Sequence, residues 1–142
     1  MDDKQRQAVS NVLAHAHIWR HACRELAYAS GKSDDLLIAA TDKELAKAAA
    51  DLYRECINAE IINTDTAVRK LILEILGSIG TVRYFIGESL GNGGTMDDLE
   101  KGLIEKAENL AGTCENLHIC ARRAFGKETE DTPFPMGAGF NI

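Results

Sequence analysis

The chain has 142 residues, enough for one domain that buries about two-thirds of its unfolded surface. Hydrophobic residues at 45% and charged residues at 27% exclude a disordered chain, and a net charge of −6 excludes nucleic acid as the main partner, because phosphate contacts need clustered Lys and Arg. No run approaches eighteen apolar residues, residues 1–6 are polar with no apolar stretch behind them, and the four cysteines accompany no export signal; the expectation is a cytoplasmic chain with reduced thiols and no membrane span.

Aromatics are sparse at 6%, so the core has to be aliphatic and alanine-rich. Both prolines, Pro133 and Pro135, fall in the last ten residues, so nothing before them forbids helix at the level of the backbone. The first predicted helix covers residues 4–30. At 100° per residue Val9, Val12, Leu13, Ala16, Trp19, Cys23, Leu26 and Ala27 share about a third of its circumference, and Gly31 stands where glycine commonly follows a helix. Residues 31–40 read as a connection, in which Ser33, Asp34 and Asp35 start a short helical turn whose Leu36, Leu37 and Ile38 cover the bundle end.

Thr41 and Glu44 match a capping box, which places the start of the second helix at Asp42. That helix runs to Ile62 with the stripe Leu45, Ala48, Ala49, Leu52, Cys56 and Ala59. Asn63, Thr64 and Asp65 are capping residues and predict a break before a third helix over residues 66–90. Its main face carries Val68, Leu71, Ile72, Ile75, Ile79, Val82 and Ile86. Gly91, Asn92, Gly93 and Gly94 form a turn, Thr95 with Asp98 caps the fourth helix, and Leu99, Leu103, Ala107, Leu110, Cys114, Leu117, Ala121 and Phe125 make its stripe up to Gly126. Four helices of similar length on short connections predict an all-α, antiparallel up-down four-helix bundle over residues 1–126, with a short helical connection after helix 1. Residues 127–142 are a charged linker followed by an extended apolar tail.

Three constellations bear on chemistry. His17, His21 and Glu25 are spaced i, i+4, i+8 on one helical face, the spacing of a divalent-cation site, but that face lies 120–180° from the apolar stripe and reads as solvated. Glu115 and His118 match half of the carboxylate–histidine element of di-metal bundles; the corresponding run in helix 2, Glu55 to Asn58, has asparagine in place of histidine, so the set is incomplete. Cys23, Cys56 and Cys114 sit in the centre of their stripes with Cys120 on a flank, which is the placement of small core hydrophobes; no Cys-x-x-Cys pair exists. The expectation is no cofactor and no catalytic residue, with a metal-binding enzyme or carrier built on these histidines and glutamates as the alternative.

The apolar surface exceeds what a bundle needs. Helix 3 carries a further face of Leu73, Gly77, Gly80, Tyr84 and Gly87, and helix 2 a second stripe of Ala46, Ala50, Tyr53 and Ile57. A mid-helix glycine costs about 1 kcal/mol relative to alanine, so three in one face require a reason: either another helix approaches closely, or helix 3 is the most buried of the four. The tail adds Phe134, Met136, Phe140 and Ile142, with Gly137 and Gly139 permitting an extended path onto its own bundle or into a partner's groove. These features predict a non-enzymatic interaction module that assembles as a homo-oligomer, with the helix 3 glycine face and the tail as its contact residues.

Overall fold

The computed structural model describes residues 3–91 and 94–126, all in four helices and their connections. These are α1 (Asp3–Gly31), α2 (Asp35–Ile62), α3 (Thr66–Gly91) and α4 (Met96–Phe125), and no strand occurs among the described residues. Each helix packs on its neighbour in the order α1, α2, α3, α4 and back to α1, most extensively between α1 and α2 and least between α2 and α3. This is the all-α four-helix arrangement that the four stripes predict.

The stripes form the core. Val9, Val12, Leu13, Ala16, Cys23 and Leu26 of α1, Leu52, Cys56 and Ala59 of α2, Val68, Ile72 and Ile75 of α3, and Leu99, Leu103, Ala107, Leu117 and Ala121 of α4 are all fully enclosed. Trp19, the largest side chain among them, is also buried. Ala49 and Leu71 lie at the edge of the core, half-buried.

Two boundaries differ from expectation. Gly31 belongs to the last turn of α1, and the left-handed residue that ends the helix is Ser33, with φ 52°. Ser33 N–H donates to Ser30 O at 3.1 Å and Lys32 N–H to the Tyr28 and Ala29 carbonyls, which satisfies the terminal acceptors without a glycine. The Glu100 carboxylate of α4 lies over Gly31, where a Cβ would displace only the end of that flexible side chain.

The second difference concerns α2. It is one continuous helix from Asp35, so no separate helical connection precedes it and Thr41–Glu44 is not a capping box. Asp34 is the cap: its Oδ1 accepts from Leu36 N–H and Leu37 N–H, both at 3.1 Å. Thr41 lies a turn and a half inside the helix, its hydroxyl donating back to Leu37 O at 2.8 Å. An aspartate with two amides in reach starts the helix earlier than the threonine, and Ile38 then joins the core.

The break between α2 and α3 occurs where the capping cluster predicts it. Asn63 closes α2, its Nδ2 donating to Ala59 O at 2.9 Å, and Asp65 Oδ1 accepts from Val68 N–H at 3.0 Å to open α3. Gln5 of α1 ties this corner by donating to Ile62 O at 3.1 Å. Thr95 caps α4 by accepting from Asp98 N–H at 3.1 Å, and Gly126 ends it at φ 70°. The predicted turn at Asn92 and Gly93, and the linker and tail over 127–142, lie outside the described residues.

Candidate functional site

Helix α3 is not the buried centre of the bundle. That place belongs to α1, where 15 of 29 residues are buried against 7 of 26 in α3. The outer glycine face of α3 is open: Leu73 is 51% and Tyr84 71% exposed, and a Cβ built on Gly77, Gly80 or Gly87 meets nothing within 4 Å. No close approach among the described residues explains the three glycines.

The second stripe of α2 is equally uncovered. Ala46, Ala50, Tyr53 and Ile57 are exposed, and Ile61 extends the stripe by one turn. Two ion pairs locate both stripes. Arg83 pairs with Asp42 at 2.9 Å, and Arg69 pairs with Glu60, so these four residues mark the edges where α2 and α3 face one another. Stepping 100° per residue outward from those edges reaches Tyr53, Ala46, Ile57 and Ala50 on α2, and Gly80, Leu73, Tyr84 and Gly77 on α3. The two stripes therefore flank a single seam. Between the two bridges the positions nearest it, Ala46 and Tyr53 opposite Leu73 and Gly80, carry no charge, while Gly77 lies farther round α3 and also borders the α3–α4 groove.

The α2–α3 seam is also the least packed of the four, so the belt lies over its shallowest part. Where α3 begins, its outer face carries a shallow, open hollow lined by Thr66, Arg69, Lys70, Leu73 and Glu74, all of α3. Contiguous apolar surface of this kind marks a docking site more often than a solvated face.

The metal candidates are not brought together. His21 and Glu25 form an exposed pair at 3.3 Å beside a groove shared with Glu44 and Asp51 of α2. His17 turns away to a half-buried position, where burial first, and then Arg20, His21 and Arg24, hold its pKa below the ordinary 6.5. Glu115 is exposed on α4, and His118 is half-buried with its pKa lowered by burial and by Arg122. No group of three or more His, Cys, Asp and Glu side chains among the described residues converges closely enough to hold a metal ion.

The thiols are equally remote from chemistry. Burial pushes Cys23, Cys56 and Cys114 each up to about 12, so they stay protonated and pack as apolar groups, while Cys120 is half-buried at the core's edge.

Two residues outside the predicted set shape the bundle. Arg20 is 6% exposed and donates from Nε to Ala107 O at 3.0 Å, joining α1 to α4. The signal is a charged residue only 40° from Ala16, inside the apolar arc. Gly102 is the glycine that packing requires: a Cβ there would overlap the Phe85 ring, which lies on the α4 backbone with Lys106 Nζ 5.0 Å from its centroid. No protein-family model matches the chain, and no curated protein sequence and no solved structure matches it significantly.

Proposed function

We propose that this chain is a non-enzymatic helical-bundle interaction module that works through protein–protein contacts, the belt over the α2–α3 seam being the contact surface and a second copy of the chain its partner. The observation that carries the reading is the open glycine face: Gly77, Gly80 and Gly87 have free space where a Cβ would stand, beside exposed Leu73, Tyr84, Tyr53 and Ile57. A helix with glycine at successive turns lets another helix approach to short axial distance. The cost of placing glycine in a helix, about 1 kcal/mol each, is then offset in the complex and not in the monomer. A self-complementary apolar patch is the common basis of a two-fold homodimer.

Sedimentation equilibrium on the full chain tests this. The expected result is a reversible dimer or higher oligomer in the micromolar range. Leu73→Glu with Gly80→Glu converts it to a monomer whose thermal midpoint, extrapolated to low concentration, lies within a few degrees of the parent's, because both positions are exposed. A chain that stays monomeric up to hundreds of micromolar both as wild type and with Phe134→Ser and Phe140→Ser overturns the reading.

A further inference from the structure

We propose that residues 132–142 occupy the α2–α3 belt of their own chain, running along α3 from Leu73 toward Gly87 with the acidic linker against Lys70, and so compete with a second copy for the same surface. The regulatory part of the inference rests on the reading above; the seat of the tail does not.

Position comes first. Phe85 of α3 lies on Gly102 and beside Lys106 of α4, and Val82 and Glu74 border a groove with Lys106 and Asn109, so the two helices are antiparallel. The end of α4 at Phe125 is therefore at the same end of the bundle as Thr66, where α3 begins. The described chain ends at Gly126, at the end of the bundle that also holds the α3 residues Thr66, Arg69, Lys70, Leu73 and Glu74.

Charge selects the route. The linker carries Glu128, Glu130 and Asp131 against a single Lys127. Lys70 has no ion-pair partner among the described residues and is the cation open to the linker, Arg69 beside it being bridged to Glu60 and Glu74 being the one acid in the hollow. The alternative groove, between α1 and α2, is bordered by Glu25, Glu44 and Asp51 against a single Lys47, an acidic excess that disfavours such a segment. The α3–α4 groove is bordered by Glu74 and Lys106 and carries no large apolar side chain besides Val82 for the tail's anchors.

Length then fits. Residues 127–131 extended reach up to about 17 Å, more than the roughly 8–10 Å between packed helices. From Phe134 to Ile142 an extended chain covers up to about 28 Å, while Leu73 to Gly87 on α3 covers about 21 Å. Phe134, Met136, Phe140 and Ile142 share the parity of one face of an extended strand, so all four can be turned toward the helices. Gly77, Gly80 and Gly87 leave room for backbone to approach.

The tail in this seat makes self-association conditional. A segment tethered by a short linker acts at an effective concentration of about a millimolar, and a second copy has to displace it. Tail release, by a partner that takes the apolar anchors, frees the belt.

The test uses the full chain with a benzophenone amino acid in place of Leu73 or Tyr84, in an equal mixture of 14N and 15N protein. On irradiation, Leu73→benzoylphenylalanine is expected to link to residues 132–136 and Tyr84→benzoylphenylalanine to residues 138–142, in both cases within one isotopic chain. Links only to helices of the other isotopic chain overturn the inference and favour the second copy as sole occupant; links to the tail of the other chain, or no links to the tail, overturn it as well. The regulatory step is read separately, from the dissociation constant of the full chain carrying Phe134→Ser and Phe140→Ser. It is expected to fall about tenfold or more against wild type, and an unchanged constant overturns the competition. Should both chains prove monomeric while the intrachain links form, the self-association reading fails and the tail's seat stands.

Discussion

Glycine has three distinct roles in this chain, and only the surroundings of each residue separate them. At Gly126 the backbone itself requires it, with φ at 70°. At Gly102 the requirement is steric, since the Phe85 ring occupies the space of a Cβ. At Gly77 neither applies: the residue is helical, exposed and clear of every neighbour among the described residues. Opposite effects of one substitution follow. Gly102→Ala is expected to destabilise by about 1–3 kcal/mol through overpacking, and Gly77→Ala to stabilise the monomer by up to about 1 kcal/mol through helix propensity. Urea unfolding at low protein concentration measures both, and equal signs for the two would contradict the packing described. Arg20 follows the same logic with charge: its place in the apolar arc is visible from spacing, whereas its acceptor, the Ala107 carbonyl 87 residues away, is set only by the docking of α4 on α1.

The helices record how competing signals are resolved locally. Thr41 with Glu44 and Asp34 with Asp35 are both legitimate starts for α2. The earlier one prevails because Asp34 caps two amides and lets the helix include Ile38, whose side chain is 8% exposed against the core. Ala40 discriminates the two arrangements. It is exposed, and in a connection proline there would cost little, but inside the continuous α2 it removes a hydrogen bond and clashes with the preceding turn. Ala40→Pro is expected to lower the free energy of unfolding by about 3 kcal/mol or more, read from the urea midpoint; a loss under 1 kcal/mol would restore the shorter helix. The break before α3 was legible, because Asn63 and Asp65 each find their backbone partners within four residues. The central position of α1 was not legible, since α3 is the more apolar of the two and burial depends on which helices end up adjacent.

At the scale of the whole molecule, stability depends on pH through imidazoles held in partly dry seams. Both His17 and His118 have pKa values lowered from 6.5, first by burial and then by neighbouring cations, so the folded chain binds fewer protons than the unfolded one as pH falls through that value. Stability is therefore complete above about pH 6.5 and declines below it until the folded-state values are passed. The thermal midpoint is expected to be flat from pH 8 to 7 and to drop toward pH 5. Exchanging both residues for glutamine (His17→Gln, His118→Gln) should reduce that slope; an identical slope in the variant would assign it to carboxylates elsewhere. The same assembly explains why the histidine candidates failed to make a site: the exposed pair of His21 and Glu25 faces α2, and Glu115 and His118 belong to another seam, so spacing along each helix is satisfied without convergence between helices.

What the sequence determined by itself is everything written in periodicity and capping: four helices, the inward faces of each, the break at Asn63, the cap at Thr95, and the burial of three thiols. Those features depend on hydrogen bonds and burial patterns repeated within a few residues, and any bundle built from these helices keeps them. The tertiary structure alone decided that α1 is central, that Arg20 and Gly102 are packing positions, and that the spare stripes of α2 and α3 meet across one seam. Adjacency, depth and the sharing of a groove are set by how faces from distant segments pair, and no local period encodes which faces those are.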